Sequence, residues 1–97
     1  MLREGMNSPW GSIQQVFEIA EGIQQVSTAG HGGWKVYHKY NRLIPKEIRR
    51  KEGWYEEDCE VYIPAYYLYN IKGVGDSLGR SQEFFRIRMN TWFDQCS

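Results

Sequence analysis

The strongest constraint on the fold is a short sequence that occurs twice. The tetrad Ile-Gln-Gln-Val stands at residues 13–16 and again at 23–26, with Ala20-Glu21-Gly22 between the two segments. Two short runs of β-favouring residues that are separated by a glycine-containing turn predict an antiparallel hairpin. The echo is too short and too isolated to indicate a repeat architecture. The hairpin supplies the first two strands of a predicted sheet.

A third strand is predicted directly after the glycine-rich turn Gly30-His31-Gly32-Gly33. Along residues 34–40, side chains of a strand alternate between two faces. One face carries Trp34, Val36, His38 and Tyr40, and the other carries Lys35, Tyr37 and Lys39. The pattern predicts a strand over the whole segment. It also places His38 on the apolar face, where a histidine is more typical of a core or edge residue than of a ligand.

Two proline residues mark predicted helices. Pro45 suits the first turn of a helix because its missing N–H has no intrahelical partner there, and we predict a short helix from Pro45 to Glu52. Residues 56–69 give a mixed signal, since Val, Ile and Tyr favour a strand while the acidic opening suits a helix N-terminus. Pro64 is disfavoured in a central strand and kinks a helix. We favour a kinked, buried helix, and a strand stays open as the alternative.

The remaining segments complete a single domain over residues 1–97. Residues 1–8 lack periodicity and predict a loose N-terminal arm, and the composition of residues 70–79 predicts a flexible loop. Residues 81–95 have apolar side chains at helical spacing and predict a C-terminal amphipathic helix. The predicted fold class is α+β, with a small antiparallel sheet of at least three strands packed against two or three helices.

Composition limits the classes of protein that this chain can be. Twelve basic and twelve acidic side chains give a formal net charge of zero, so no global field steers the protein towards nucleic acid or an anionic membrane. No apolar run approaches the roughly 18–20 residues of a membrane span, and the N-terminus lacks the apolar stretch of a secretory signal. We therefore expect a cytoplasmic protein that does not engage a membrane. Two cysteines are too few for a disulfide scaffold.

Neither metal binding nor nucleic-acid binding has a clear motif. The chain has no CxxC or HxxxH pair, and we expect no metal site and no cofactor. Lys46, Arg49 and Arg50 belong to a basic cluster at residues 42–51 that could contact phosphates. The acidic run at residues 56–60 lies close behind the cluster in sequence and disfavours direct nucleic-acid binding. A solvated helix face is the simpler interpretation of the basic residues.

His31 and Cys59 are the candidate chemical groups. A histidine between glycines is accessible and could act as a proton shuttle or ligand contact, whereas the structural interpretation is a turn whose glycines supply the backbone conformation. The acidic neighbours of Cys59 disfavour its thiolate form, and a small buried side chain is the simpler interpretation. A catalytic group formed by His31, Cys59 and Glu57 stays open as an alternative.

Four pieces of the sequence together resemble a domain family of unknown function that recurs in bacteriophage and plasmid-borne genes. The pieces are Ser8-Pro9-Trp10-Gly11, residues 27–33 (STAGHGG), Ile44-Pro45, and residues 53–60 (GWYEEDCE). The resemblance covers about the first two thirds of the chain, and the sequence is expected to depart from the family pattern after Pro64. The family supplies no activity. The resemblance implies an accessory protein of a mobile genetic element, in the cytoplasm of a bacterial host.

Two functional hypotheses from different classes follow. The first is a protein that inhibits a host defence system, in the manner of an anti-CRISPR protein, by binding to a defence protein or complex. Its expected contact residues are Glu56, Glu57, Asp58, Glu60, Tyr66, Tyr67 and Tyr69, whose carboxylates could mimic nucleic-acid phosphates. The second hypothesis is a small enzyme or ligand-binding module that uses His31 and Cys59 with nearby carboxylates.

Overall fold

The protein has an α+β fold with six short strands and four helices in residues 1–96, the part of the chain that the computed structural model describes. The strands are β1 (Asn7–Ser8), β2 (Gly11–Ser12), β3 (Gln15–Ala20), β4 (Ile23–Ser27), β5 (Gly32–Val36) and β6 (Trp54–Glu56). The helices are α1 (His38–Asn41), α2 (Tyr62–Tyr67), α3 (Val74–Leu78) and α4 (Gln82–Cys96). The predicted fold class is confirmed.

A four-stranded antiparallel sheet with the order β3-β4-β5-β6 forms one layer of the molecule, and β1 and β2 form a separate two-stranded hairpin. The hairpin predicted from the repeated tetrad is present as β3 and β4, and Val16 lies opposite Val26. Gly22 in its turn has a φ of 95°, a conformation that glycine adopts without steric cost. Each later strand pairs with the one before it, so the sheet follows chain order.

The third strand is shorter than the alternating pattern predicts. Trp34 and Val36 are buried as expected, but β5 ends at Val36 and α1 begins at His38. Val36 lies opposite Ile23, the first residue of β4, and β6 pairs with β5 only as far as Lys35. In residues 1–96, no strand lies beside the chain beyond Val36, so β5 has no partner there with which to continue. The prediction for His38 is therefore wrong, because its side chain is exposed.

The helix predicted from Pro45 to Glu52 is absent, and turns occupy this segment. The backbone makes one helix-like turn, in which the N–H groups of Ile48 and Arg49 donate to Pro45 O. The backbone N–H and C=O groups of Arg50, which would extend a helix, are instead hydrogen-bonded to side chains. Asn41 Nδ2 donates to Arg50 O at 2.9 Å, and Arg50 N donates to the Tyr55 hydroxyl at 3.1 Å. Tertiary hydrogen bonds thus replace the helical pattern here.

Residues 56–69 adopt neither of the two predicted forms throughout. The segment starts at the end of strand β6, turns through residues 57–61 and enters α2 at Tyr62. Pro64 is the third residue of that helix, where a backbone N–H has no intrahelical partner. The kinked helix is wrong because the helix begins only two residues before the proline. Ile63, Pro64 and Ala65 are all buried.

The loop and arm predictions also need correction. Within residues 70–79 the structure contains α3, whose Val74 is fully buried. Within the predicted arm, β1 pairs with β2, and Gly5 N donates to Ile13 O at 2.8 Å. The C-terminal helix is present as α4 and packs against α2.

The core lies between the sheet and the helices α2, α3 and α4. It joins strand residues Ile23, Trp34, Val36 and Tyr55 to Ile44 and to the helical side chains Ile63, Leu68, Val74, Phe85 and Met89. The sheet and the helices bury one continuous apolar cluster, as expected for a two-layer α+β protein. This cluster fixes the positions of the charged surface segments described below.

Candidate functional site: signature cluster, acidic turn and basic pocket

Three of the four pieces that suggest the family resemblance meet in one place, which we call the signature cluster: Trp10, Gly32, Gly33, Trp54 and Tyr55. The rings of Trp10 and Trp54 make an edge-to-face contact at 5.5 Å between centroids. A Cβ atom on Gly33 would lie 2.2 Å from Tyr55 O and 2.5 Å from the Trp10 ring. Only a glycine fits between the sheet neighbour and the indole, so the three motifs depend on one another sterically.

The glycine-rich turn and the acidic segment are joined by their main chains. Gly33 lies opposite Glu56 in the β5–β6 register, and Glu57 N donates to Gly32 O at 3.0 Å. A Cβ atom on Gly32 would lie 2.7 Å from both Val26 O and Glu57 Oε2. The pairing of these two motifs in the sequence therefore has a backbone explanation that requires no reaction.

His31 lies in a turn that its main chain and Thr28 build together. Thr28 N and Thr28 Oγ1 donate to His31 O at 2.8 and 2.7 Å, and His31 N donates to Thr28 Oγ1 at 3.2 Å. The residue itself is exposed. Any residue type except proline can make these main-chain bonds, so the turn does not depend on the imidazole.

We expect His31→Ala to change the free energy of unfolding by less than about 0.5 kcal/mol, because an exposed side chain is removed and the main-chain bonds stay. Thr28→Val removes the hydroxyl at similar volume and should cost about 1 kcal/mol. Thermal melts of both variants beside the wild type measure the difference. A larger loss in His31→Ala than in Thr28→Val would contradict this assignment.

The predicted acidic residues separate into two groups. Glu57 and Asp58 are exposed at the tip of the turn through residues 57–61. Glu60 is engaged, since its Oε2 lies 2.6 Å from Arg50 NH2 and its Oε1 accepts from Glu56 N at 3.1 Å. The half-buried Cys59 has its Sγ 4.0 Å from Glu56 Oε1. The tip carboxylates thus face solvent while Glu60 helps to fix the turn.

The three tyrosines that were predicted to contact a partner also differ in their exposure and in their internal contacts. Tyr67 is 38% exposed, and its ring contacts that of Tyr66 edge to face at 4.9 Å. Tyr66 is half-buried, and its carbonyl oxygen accepts from Gln82 Nε2. Tyr69 is also half-buried, and its hydroxyl donates to Arg80 O. Tyr67 is the best placed of the three for contact with a partner.

A buried polar network holds the segment that follows α1. The Tyr55 hydroxyl donates to Asn41 Oδ1 at 2.6 Å and accepts from Arg50 N, and Asn41 Nδ2 donates to Arg50 O. Tyr55 is fully buried and Asn41 is nearly so. Burial raises the pKa of the Tyr55 phenol above its usual value, while the bond from Arg50 N and the charge of Arg50 oppose that rise. The phenol therefore stays protonated and able to donate at neutral pH.

A concave surface that the sequence analysis missed, which we call the basic pocket, adjoins this network at Asn41. It has a volume of about 450 Å³ and is lined by His38, Asn41, Arg42, Lys46, Arg49 and Lys51. The available signal was the density of basic residues at 42–51. That signal was interpreted as one face of a helix, and the pocket arises because the segment folds back on itself instead.

Among the residues whose side chains the structure describes, 1–93, no three His, Cys, Asp or Glu side chains are grouped so that they could hold a metal ion. No helix in residues 1–96 combines the length and the apolar composition needed to cross a membrane.

Fold and surface together define a small α+β protein that displays an acidic turn and a basic pocket on a tightly packed aromatic–glycine scaffold. The chain belongs to a family described as a domain of unknown function (DUF7007), whose model matches residues 3–93. Neither a search of curated proteins nor a search of solved structures found a match. The matched range extends to residue 93, whereas the resemblance seen in the sequence covers about the first two thirds of the chain.

Proposed function

We propose that this protein is an accessory protein of a mobile genetic element that inhibits a bacterial defence system by binding to a defence protein, in the manner of an anti-CRISPR protein. The observation that supports this proposal is the exposure of Glu57 and Asp58 on a turn whose main chain is hydrogen-bonded to Gly32 of the signature cluster. The proposed contact surface consists of these two carboxylates and the exposed Tyr67 of α2. The proposed site of action is the cytoplasm of the bacterial host.

The acidic turn is fixed at both of its ends, which favours binding without a large ordering cost. Glu57 N donates to Gly32 O at one end, and Val61 N donates to Glu56 O at 3.0 Å across the turn. Ile63 N donates to Glu60 O, also at 3.0 Å, where the turn enters α2. Two exposed carboxylates on a turn whose main chain is fixed in this way can replace neighbouring phosphates on a cationic surface that normally binds nucleic acid.

Asp58 also borders a shallow groove that could receive a side chain from the partner. The groove has a volume of about 160 Å³ and is lined by Asp58, Tyr62, Arg88, Thr91 and Trp92. Aromatic and arginine side chains are enriched among residues that dominate binding energy at protein interfaces. The groove therefore extends the proposed contact surface from the acidic tip towards α4.

The proposal predicts that Glu57→Lys with Asp58→Lys abolishes inhibition. The double variant reverses both tip charges and places like charges against a cationic partner, which should weaken binding at least about tenfold. The test is the plaquing efficiency of a phage on bacteria that target it with a CRISPR system and express the wild type or the variant. The wild type should restore plaques and the variant should not.

Glu4→Lys with Glu18→Lys is the matched control, because it makes the same charge change at two exposed positions outside the proposed surface. Thermal melts establish that both variants fold. Restored plaquing by the tip variant would show that the surface is assigned wrongly. A folded wild type that protects no phage from any of a panel of defence systems would overturn the inhibitor proposal itself.

A further inference from the structure

The basic pocket is lined by positively charged side chains that form no ion pairs with carboxylates in residues 1–93. Arg42, Lys46, Arg49 and Lys51 all line it. In residues 1–93, none of these four side chains lies within 4.0 Å of a carboxylate oxygen, whereas Arg50 next to them pairs with Glu60. Four cations around one concavity repel one another unless an anion occupies it. The pocket therefore favours a negatively charged ligand.

The pocket is also organised before any ligand enters. Arg49 Nε donates to Ile44 O and Arg49 NH2 donates to Arg42 O, both at 3.0 Å, and Ile44 is fully buried in the core. These bonds use two of the five N–H donors of a guanidinium. The remaining donors have a planar geometry that matches phosphate oxygens. Arg49 thus bridges the two sides of the turn segment and still offers hydrogen bonds.

The buried network adds a second support. Asn41 forms part of the pocket wall, and its amide is fixed from behind by the Tyr55 hydroxyl and by Arg50 O. The chain from Asn41 to Arg50 is therefore closed by hydrogen bonds at its two ends. Arg49 and Asn41 thus form a fixed part of the pocket wall, and small-ligand sites are usually largely pre-formed in this way.

We propose that the basic pocket binds a small soluble ligand that carries a pyrophosphate group. Charge indicates this class of ligand, because each phosphate of such a group carries roughly one to two negative charges at neutral pH. Two phosphates therefore bring about two to four negative charges to the four cations of the pocket. A volume of about 450 Å³ holds a pyrophosphate with part of the molecule attached to it. A second cavity of about 180 Å³ shares His38, Asn41 and Lys51 with the pocket and offers room for that part.

A compact anion fits this site better than a nucleic-acid strand. A strand needs cations along an extended track, but the cations here converge on one concavity. Glu52 lines the adjoining second cavity, and Glu47 is exposed within the same turn segment. A strand leaving the pocket would meet these carboxylates. The formal net charge of zero also provides no long-range attraction for a polyanion.

Isothermal titration of the full chain with inorganic pyrophosphate tests the proposal. The wild type should bind one equivalent, and Lys46→Ala with Lys51→Ala should weaken binding at least tenfold, as the loss of one charge-assisted contact of about 1.4 kcal/mol would produce. Both lysines are exposed, so their removal leaves the core intact. Lys72→Ala, which removes an exposed lysine outside the pocket, should bind as the wild type does. Orthophosphate should bind more weakly than pyrophosphate.

Three results would overturn the proposal. The first is a folded wild type that does not bind pyrophosphate at millimolar concentration. The second is a clear weakening by Lys72→Ala as well, since binding would then follow overall charge. The third is tight binding of a single-stranded oligonucleotide that pyrophosphate does not displace, which would assign the surface to nucleic acid. None of these measurements involves the acidic turn, so they are independent of the proposed inhibitory function.

Discussion

Gly33→Ala should lower the free energy of unfolding by about 3 kcal/mol, although it adds a single methyl group. The added Cβ would lie 2.2 Å from Tyr55 O and 2.5 Å from the Trp10 ring. The first of these atoms belongs to the backbone of β6 and cannot rotate away. The sheet would have to open between β5 and β6, or the indole would have to leave the signature cluster.

Thermal unfolding measures this effect, because 3 kcal/mol corresponds to a loss of at least about 12 °C in the melting temperature for a domain of this size. Gly30→Ala is the matched control. A Cβ there meets nothing within 4 Å, and Gly30 is not among the glycines with positive φ. Its melting temperature should stay within a few degrees of the wild type. Equal melting temperatures for the two variants would contradict the steric account of the signature cluster.

Tyr55→Phe should cost about 2 kcal/mol, although it removes a single oxygen atom. The Asn41 Oδ1 atom would lose its donor at 2.6 Å, and Arg50 N would lose its acceptor at 3.1 Å. A phenylalanine ring leaves no room for water to take over these bonds, since residue 55 is fully buried. Unpaired polar groups in the interior carry the full cost of their lost hydration.

Chemical denaturation of Tyr55→Phe beside Tyr67→Phe isolates the contribution of the network. The two variants undergo the same chemical change, but Tyr67 is 38% exposed, so its variant should stay within about 0.5 kcal/mol of the wild type. If Tyr55→Phe were equally mild, the network would not be what holds residues 41–50 in place. A stable Tyr55→Phe protein would also be useful for testing whether pyrophosphate binding depends on the rigidity of the pocket.

The elements that could be predicted from sequence are those built from neighbouring residues. The β3–β4 hairpin needs two β-favouring runs and the turn at Gly22, all within residues 13–26, and α4 needs only helical periodicity over residues 81–95. The predictions failed where distant residues compete for the backbone. Strand β5 stops at Val36 because its neighbouring strands end there. The alternating pattern of residues 34–40 contains no information about where those neighbouring strands end.

For the surface, the sequence by itself identified the acidic run at residues 56–60 and the glycine-rich turn at residues 30–33, because both are contiguous motifs. Only the tertiary structure decided that Trp10 covers Gly33 and that residues 42–51 enclose a pocket instead of forming a helix. The deciding hydrogen bonds come from Asn41 and Tyr55, which are 14 residues apart. The sequence shows how many basic residues are clustered at 42–51. Whether their side chains line one pocket depends on hydrogen bonds between residues that come together only in the folded core.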